Sequence, residues 1–174
     1  AEIKELPEVV VAVLDTGIDT DNPVFENRFL YDDNGKIIGK DYANDDYETD
    51  YPFEDIRGHG TICSSVICDL TLPNVKILPV KFMSRMKNGK EISSTVSVYL
   101  AMNYLIEMKQ KYNIVAVNMS FGSETTIFDG ILGERIKKAY DSGILPITSA
   151  GNEAIDAVNS SPANVECVIT VSAI

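Results

Sequence analysis

Apolar residues along this chain gather in continuous runs and do not alternate with polar ones. Runs of strand length occupy 9–14, 75–82, 114–119, 144–149 and 167–173. Such runs mark strands covered on both faces, the usual state of a parallel sheet. Between them the apolar period lengthens to that of a helix. From Ser94 to Tyr112, the residues Val98, Met102, Leu105, Met108 and Tyr112 recur at a period near 3.5, roughly that of an α-helix. From Ile127 to Asp141, the pattern puts Phe128, Ile131, Leu132, Ile136 and Tyr140 on one face. Gly143 stands where a left-handed residue would close that helix. A third helix is expected after His59. Strands alternating with helices imply right-handed crossovers and a mostly parallel sheet. The segment 20–58, rich in Asp, Asn, Tyr and Gly, interrupts this rhythm, with one short strand expected around Lys36 to Lys40. No repeat, low-complexity tract or linker divides residues 1–174, so the reading is a single α/β domain.

A chain of 174 residues is long enough for one hydrophobic core, and 45% apolar with 24% charged residues is ordinary for a globular protein. No run approaches the roughly 20 apolar residues that span a bilayer, and no signal-peptide pattern opens the chain. Fifteen basic against 26 acidic residues give a net charge of -11, which argues against nucleic-acid partners and favours a cationic peptide. The acidity gathers in Asp41, Asp45, Asp46, Glu48, Asp50, Glu54 and Asp55. This run reads as a solvated loop and does not spell an EF-hand. A further expectation from charge alone is that it selects basic residues in a substrate. Cys63 and Cys68 lie on different faces of one helix, so together with Cys167 they read as free buried thiols. One histidine and no cysteine doublet spell no zinc cluster, and no metal site is assigned.

In open α/β sheets ligands bind at the carboxyl ends of the strands. Asp15 ends the first run; Ser120, Phe121 and Gly122 follow "IVAVNM"; Ala150, Gly151, Asn152 and Glu153 follow "ILPITS". Each alone is ordinary turn chemistry. Their convergence on one sheet edge points to a site. The chain's one histidine lies in "RGHGTICSSVI", Arg57 to Ile67, where flanking glycines permit close backbone approach and a helix start fixes the imidazole. Gly58 to Cys63 begins like a dinucleotide fingerprint, but no strand precedes it and Cys63 stands at the third glycine. Asp15-Thr16-Gly17 is also the tripeptide of aspartic proteases. Those need a second copy or a symmetric β-rich dimer, and this pattern is α/β. A haloacid-dehalogenase-like phosphatase would need an aspartate where Gly17 stands, and no P-loop is present.

Taken together these blocks resemble the subtilisin-like serine proteases, the subtilases (peptidase S8). "VAVLDTGID", Val11 to Asp19, is similar to the block of the catalytic aspartate, and "GHGT", Gly58 to Thr61, to that of the catalytic histidine. "NMSFGS", Asn118 to Ser123, resembles the strand lining the substrate cleft, and "SAGNE", Ser149 to Glu153, the block of the oxyanion-hole asparagine. "SPANVECVITVSAI", Ser161 to Ile174, resembles the turn and strand that follow. The resemblance implies a three-layer sandwich about a mostly parallel sheet. It implies a catalytic set of Asp15, His59 as general base and Asn152 as oxyanion donor. It also implies peptide-binding roles for Ser120, Phe121, Gly122, Ala150 and Gly151.

The serine of the family's Gly-Thr-Ser-like block is not among these residues. The resemblance therefore covers the N-terminal two-thirds of a catalytic domain, truncated before the serine-bearing helix and expected to be inactive alone. A serine endopeptidase completed by a C-terminal segment or chain is the reading; the alternative is an inactive, peptide-binding pseudoprotease. Expected partners are a peptide or protein substrate, that C-terminal piece and a pro-segment, with no nucleic acid and no membrane span. No cofactor is expected. The loop after the histidine helix, which commonly holds calcium in the family, looks shortened, so calcium is expected only elsewhere in the full protein. Cys63, close to the histidine, reads as an inert buried thiol, with thiol sensitivity as the alternative. The resemblance favours a secreted or cell-surface location.

Overall fold

The computed structural model describes residues 6–124 and 129–173. Along the chain its strands are β1 (Val9–Asp15), β2 (Lys40–Asp41), β3 (Val75–Lys81), β4 (Ser84–Arg85), β5 (Glu91–Ile92), β6 (Ile114–Met119), β7 (Ser123–Glu124), β8 (Leu145–Ser149), β9 (Ser160–Ser161) and β10 (Ile169–Val171). The α-helices are α1 (His59–Leu70), α2 (Thr95–Tyr112) and α3 (Asp129–Asp141). Six strands form one sheet in the order β10-β8-β6-β1-β3-β2, and every neighbouring pair is parallel. Two small antiparallel ribbons, β4–β5 and β7–β9, stand apart from it.

Successive side chains of a strand face opposite ways, and β1 shows what each face meets. Val10, Ala12 and Leu14 join a core with Val98, Ala101, Met102 and Leu105 of α2 and Leu132 and Ile136 of α3. Val13 points the other way, into a core with Ile77, Cys68 of α1, and Phe25, Phe29 and Phe53 of the long excursion. Three layers result, helices on both sides of a parallel sheet. Residues such as Leu14 and Ile77 are fully buried. Each contributes roughly 1.5–3 kcal/mol against exposure. The burial falls off along the sheet: β1 and β3 are enclosed, whereas Ile169 and Val171 of β10 are exposed.

The helix ends follow from local chemistry. Ser94 caps α2 by accepting from the Ser97 amide, and Asn113 ends it in the left-handed conformation with Lys109 and Lys111 in the last turn. Gly143, at φ +90°, closes α3 as the pattern predicts.

Several expectations need correction. On α3, Leu132 and Ile136 are buried but Ile131 and Tyr140 are exposed, while Ile127 and Phe128 lie outside the described residues. The last apolar run pairs only over Ile169–Val171. The strand expected around Lys36 to Lys40 shrinks to Lys40–Asp41, with an isolated bridge between Tyr31 and Ile37. Of the three free cysteines only Cys68 is buried; Cys63 and Cys167 are half-exposed. The acidic run is in good part structural. Lys81, its side chain 1% exposed, donates to Asp45 at 2.5 Å, and Asp45 also takes the Ser84 hydroxyl. Among the described residues no helix is long and apolar enough to cross a membrane.

Candidate active site

Because the sheet is parallel, the carboxyl ends of β1, β6 and β8 share one edge. Asp15 is the last residue of β1 and is 1% exposed. Its Oδ1 accepts the Thr16 amide at 2.7 Å and lies 2.7 Å from Nδ1 of His59, the first residue of α1. Among the described residues Asp15 Oδ2 has no partner. Burial pushes the Asp15 carboxyl above its ordinary value, while the His59 contact and the Thr16 amide pull it back. The imidazole is 54% exposed, so its far edge is open to a reactant.

The two glycines flanking His59 serve for different reasons. A Cβ on Gly60 would lie 2.2 Å from the Gly17 carbonyl oxygen and 3.1 Å from Asp15 Cβ, so this position tolerates no side chain. Gly58 has open space around it; what it supplies is φ +88° at the helix start, where L side chains are strained. Gly17, at φ +109°, would drive a Cβ to 2.3 Å from the Phe53 carbonyl oxygen. The turn after Asp15 and the entry to α1 are thus pressed together, and the Gly60 amide donates to the Thr16 hydroxyl at 2.9 Å.

Two further residues complete this corner: Asp55, which sequence reasoning missed, and Cys63, which it placed close to the histidine as an inert thiol. Asp55 accepts from the Thr16 hydroxyl, the Arg57 and Gly58 amides, and both the amide and hydroxyl of Thr61. Burial would raise its pKa; these hydrogen bonds, those from Thr61 foremost, outweigh it and hold the carboxyl below the ordinary range. Charge counting grouped Asp55 with the acidic run, and only its position four residues before His59 hinted at more. Cys63 lies one helical turn after His59, with its sulfur 3.9 Å from Nδ1. Burial, then the Asp15 charge, raises the thiol's pKa, and a hydrogen bond with Ser120 lowers it. Asp15, His59 and Cys63 hold donor atoms within 4.8 Å of one another, the group among the described residues that could hold a metal ion. Spelling alone could not reveal it, because Asp15 is 44 residues from His59.

Ser120 follows the end of β6, and its hydroxyl accepts from the Asn118 side-chain amide at 3.0 Å. Phe121 turns inward and packs on Phe82 at 4.4 Å between ring centroids. Phe121 and Gly122 line a cavity of about 260 Å³ together with Phe82, Met83, Val98, Leu132 and the Ser161-Pro162 pair. A Cβ on Gly122 would meet the Ser160 hydroxyl at 3.0 Å. The backbone of Phe121 is already committed: its amide donates to Met119 and its carbonyl accepts from Thr148. Past β8, the Ala150 amide donates to Val171 at 2.8 Å, and Gly151 turns at φ +92°. Asn152 is exposed, and its amide N–H donates to the Glu153 carboxylate. Among the described residues no hydrogen bond links Ala150, Gly151 or Asn152 to Asp15 or His59.

The loop from α1 to β3 is short, running from Thr71 to Asn74.

Comparison with known proteins agrees with this fold. A solved structure of a cold-adapted subtilisin-like serine proteinase superposes with a TM-score of 0.68 at 25% identity, covering 94% of this chain and 54% of that one. A psychrophilic protease, S41, matches in fold with a TM-score of 0.72 at 21% identity, over 97% of this chain and 54% of its own. Subtilisin-like protease 3 of Saccharomyces cerevisiae is 34% identical over 170 residues, 92% of this chain but 32% of the yeast protein. The major intracellular serine protease of Bacillus subtilis is 28% identical over 153 residues, 83% of this chain and 43% of its own. The chain thus spans well under half the length of these two relatives. The model of the subtilase family, peptidase S8, matches residues 7–174, and the chain belongs to that family.

Proposed function

We propose that this chain supplies the histidine, the orienting carboxylate and one oxyanion donor of a serine endopeptidase. The nucleophilic serine comes from a further segment of the complete protein. The observation that carries this reading is the 2.7 Å contact between Asp15 Oδ1 and His59 Nδ1 at the carboxyl edge of a parallel sheet. With Nδ1 committed to Asp15, Nε2 is the nitrogen free to act. It takes the proton of the serine hydroxyl as Oγ bonds to the peptide carbonyl carbon. It then gives that proton to the amine as the C–N bond breaks, leaving an acyl-enzyme that water hydrolyses. Asp15 keeps the imidazole in the productive tautomer and stabilises its cation. Asn152 donates its side-chain amide to the tetrahedral oxyanion.

Substrate would lie extended along Ser120 to Gly122 in the manner of an added strand. Since the Phe121 amide and carbonyl are in use, Ser120 and Gly122 offer the main-chain groups, with Ala150 and Gly151 flanking the pocket before the scissile bond. A surface for the further segment is also at hand. Ile62, Val66 and Leu70, four residues apart on α1, form one exposed apolar stripe beside the histidine.

The test is the full-length protein with a fluorophosphonate probe and a peptide substrate. Covalent labelling of a serine outside residues 1–174 is expected. His59→Ala should lower kcat by about 10⁶-fold, the size of loss measured on subtilisin itself. Cleavage unaffected by His59→Ala would sink the reading. Saturable peptide binding without labelling or cleavage would assign the protein to peptide capture instead.

A further inference from the structure

None of the roles above uses Asp55, yet its carboxylate is the most heavily bonded group at the edge of the sheet. Oδ1 accepts from the Thr16 hydroxyl at 2.9 Å, the Arg57 amide at 2.9 Å and the Gly58 amide at 2.8 Å. Oδ2 accepts from the Thr61 amide at 2.9 Å and the Thr61 hydroxyl at 2.7 Å. The Asp55 amide in turn donates to the Ile18 carbonyl at 3.1 Å. These partners belong to two short segments, the turn that follows Asp15 and residues 57–61, which lead into α1 and present His59. Both hydroxyls continue the network. Thr16 Oγ1 accepts from the Gly60 amide, and Thr61 Oγ1 accepts from the Asp19 amide at 3.0 Å.

The imidazole itself has little else to hold it. It is 54% exposed, and among the described residues its polar contacts are Asp15 at 2.7 Å and the Cys63 sulfur at 3.9 Å. Its position is therefore inherited from the backbone of residues 58–61. The N-cap, Gly58, has no side chain to secure that backbone. Asp55 supplies the missing cap from outside the helix, and its charge suits the helix N-terminus. A carboxylate is the side chain that can accept at both oxygens with no donor of its own; an asparagine would turn an N–H against the Thr61 amide or against the Gly58 and Arg57 amides.

We infer that Asp55 is a positioning residue that sets the Asp15–His59 geometry by clamping the turn after β1 to the first turn of α1. This rests on Asp15 and His59 being the catalytic pair. A carboxylate on the same loop provides the structural control. Glu54 holds the Thr20 amide at 2.9 Å and hydroxyl at 3.0 Å, and its side chain has no hydrogen bond to residues 15–17 or 57–61.

In the full-length protein, Asp55→Asn should lower kcat about 10²-fold, the usual cost of a catalytic group misplaced by about 1 Å. KM should stay within about threefold, since the loss falls on the transition state and not on substrate binding. The downfield proton resonance of the His59 Nδ1–H, identified by its loss in His59→Ala, should move upfield or broaden away. Glu54→Gln, with a similar thermal midpoint, should leave kcat and that resonance near wild type. Equal kcat in the two loop variants would overturn the inference, as would an unmoved resonance in Asp55→Asn. If Asp55→Asn fails to fold, Thr61→Val removes one of the five bonds, and a kcat unchanged from wild type would overturn it equally. Activity surviving His59→Ala would instead bring down the catalytic pair itself, whatever Asp55 does.

Discussion

Two corners of the same sheet edge are built in opposite ways. At the end of β1, Asp15 and Thr16 are buried, glycines press two backbone segments together, and Asp55 ties them with hydrogen bonds. At the end of β8, residues 151–156 are exposed, and the Asn152 side chain has no partner among the described residues. The difference follows from which segments meet. The first corner is assembled from β1, the 53–61 segment and α1, all present and packed on one another. The second has β10 as its one sheet neighbour beyond β6, and β10 is itself exposed. A hydrogen-bond donor stabilises a transition state best when it is already held in place and shielded from water. Among the described residues the histidine corner meets that condition, and the asparagine corner does not.

The largest expected break lies under the first corner. Asp45→Ala would leave the Lys81 charge buried and unpaired, a change that costs about 3–5 kcal/mol of stability. Because Lys81 also donates to the Glu54 carbonyl, the loop leading into Asp55 should loosen with it. Denaturant unfolding of the full-length protein checks the first effect; a midpoint within error of wild type would mean that the pair contributes nothing. Asn152→Ala should act in the opposite manner. It should raise the barrier by about 2.7–4 kcal/mol, a figure measured on subtilisin's own oxyanion asparagine, while stability and KM hardly move. If KM alone changed, the oxyanion role would be wrong.

The contrast also explains what could be read beforehand. The five main strand runs, the three helices and the parallel order follow from long apolar periods, because burial on both faces leaves a strong mark on composition. Asp15 and His59 were legible because each stands at a junction of strand or helix with glycine. Asp55 was not, because a carboxylate in a loop looks the same in composition whether it faces water or five donors. Asp45 misled for the same reason: its partner Lys81 is 36 residues away on a strand. The α3 face was over-read at Ile131 and Tyr140, where apolar spacing continues past the part that the sheet covers. Asn152 was singled out by the resemblance of its block, but among the described residues no hydrogen bond holds its side chain.

Gly60 is the place where the first corner can be opened by one methyl group. Gly60→Ala would set a Cβ 2.2 Å from the Gly17 carbonyl oxygen, a backbone atom that cannot rotate away. Overpacking of this kind costs about 1–3 kcal/mol, and here it would also push His59 from Asp15. Gly58→Ala meets no neighbour within 4 Å and carries only the strain of a positive φ, so it should cost less. Thermal midpoints and kcat for the two variants would separate close approach from backbone conformation; equal effects would mean that contact with Gly17 is not what selects glycine at position 60.

The smallest effect concerns the acidic run, and the structure changes which residues should be tested. Asp45 is enclosed with its side chain 6% exposed, and Asp41 and Asp55 spend their carboxylates on backbone amides. Asp46, Glu48 and Asp50 are the members exposed to solvent. If the run favours basic residues in a substrate, it does so through these three at long range, where salt screens the attraction over about 10 Å. Replacing Asp46, Glu48 and Asp50 by Asn, Gln and Asn should then lower kcat/KM for Lys- and Arg-containing peptides by a few-fold, acting through association and fading as salt is added. Neutral peptides should be cleaved as before. An unaltered preference at low salt would leave the run with a structural role alone, fastening the loop that carries Asp55 to the sheet.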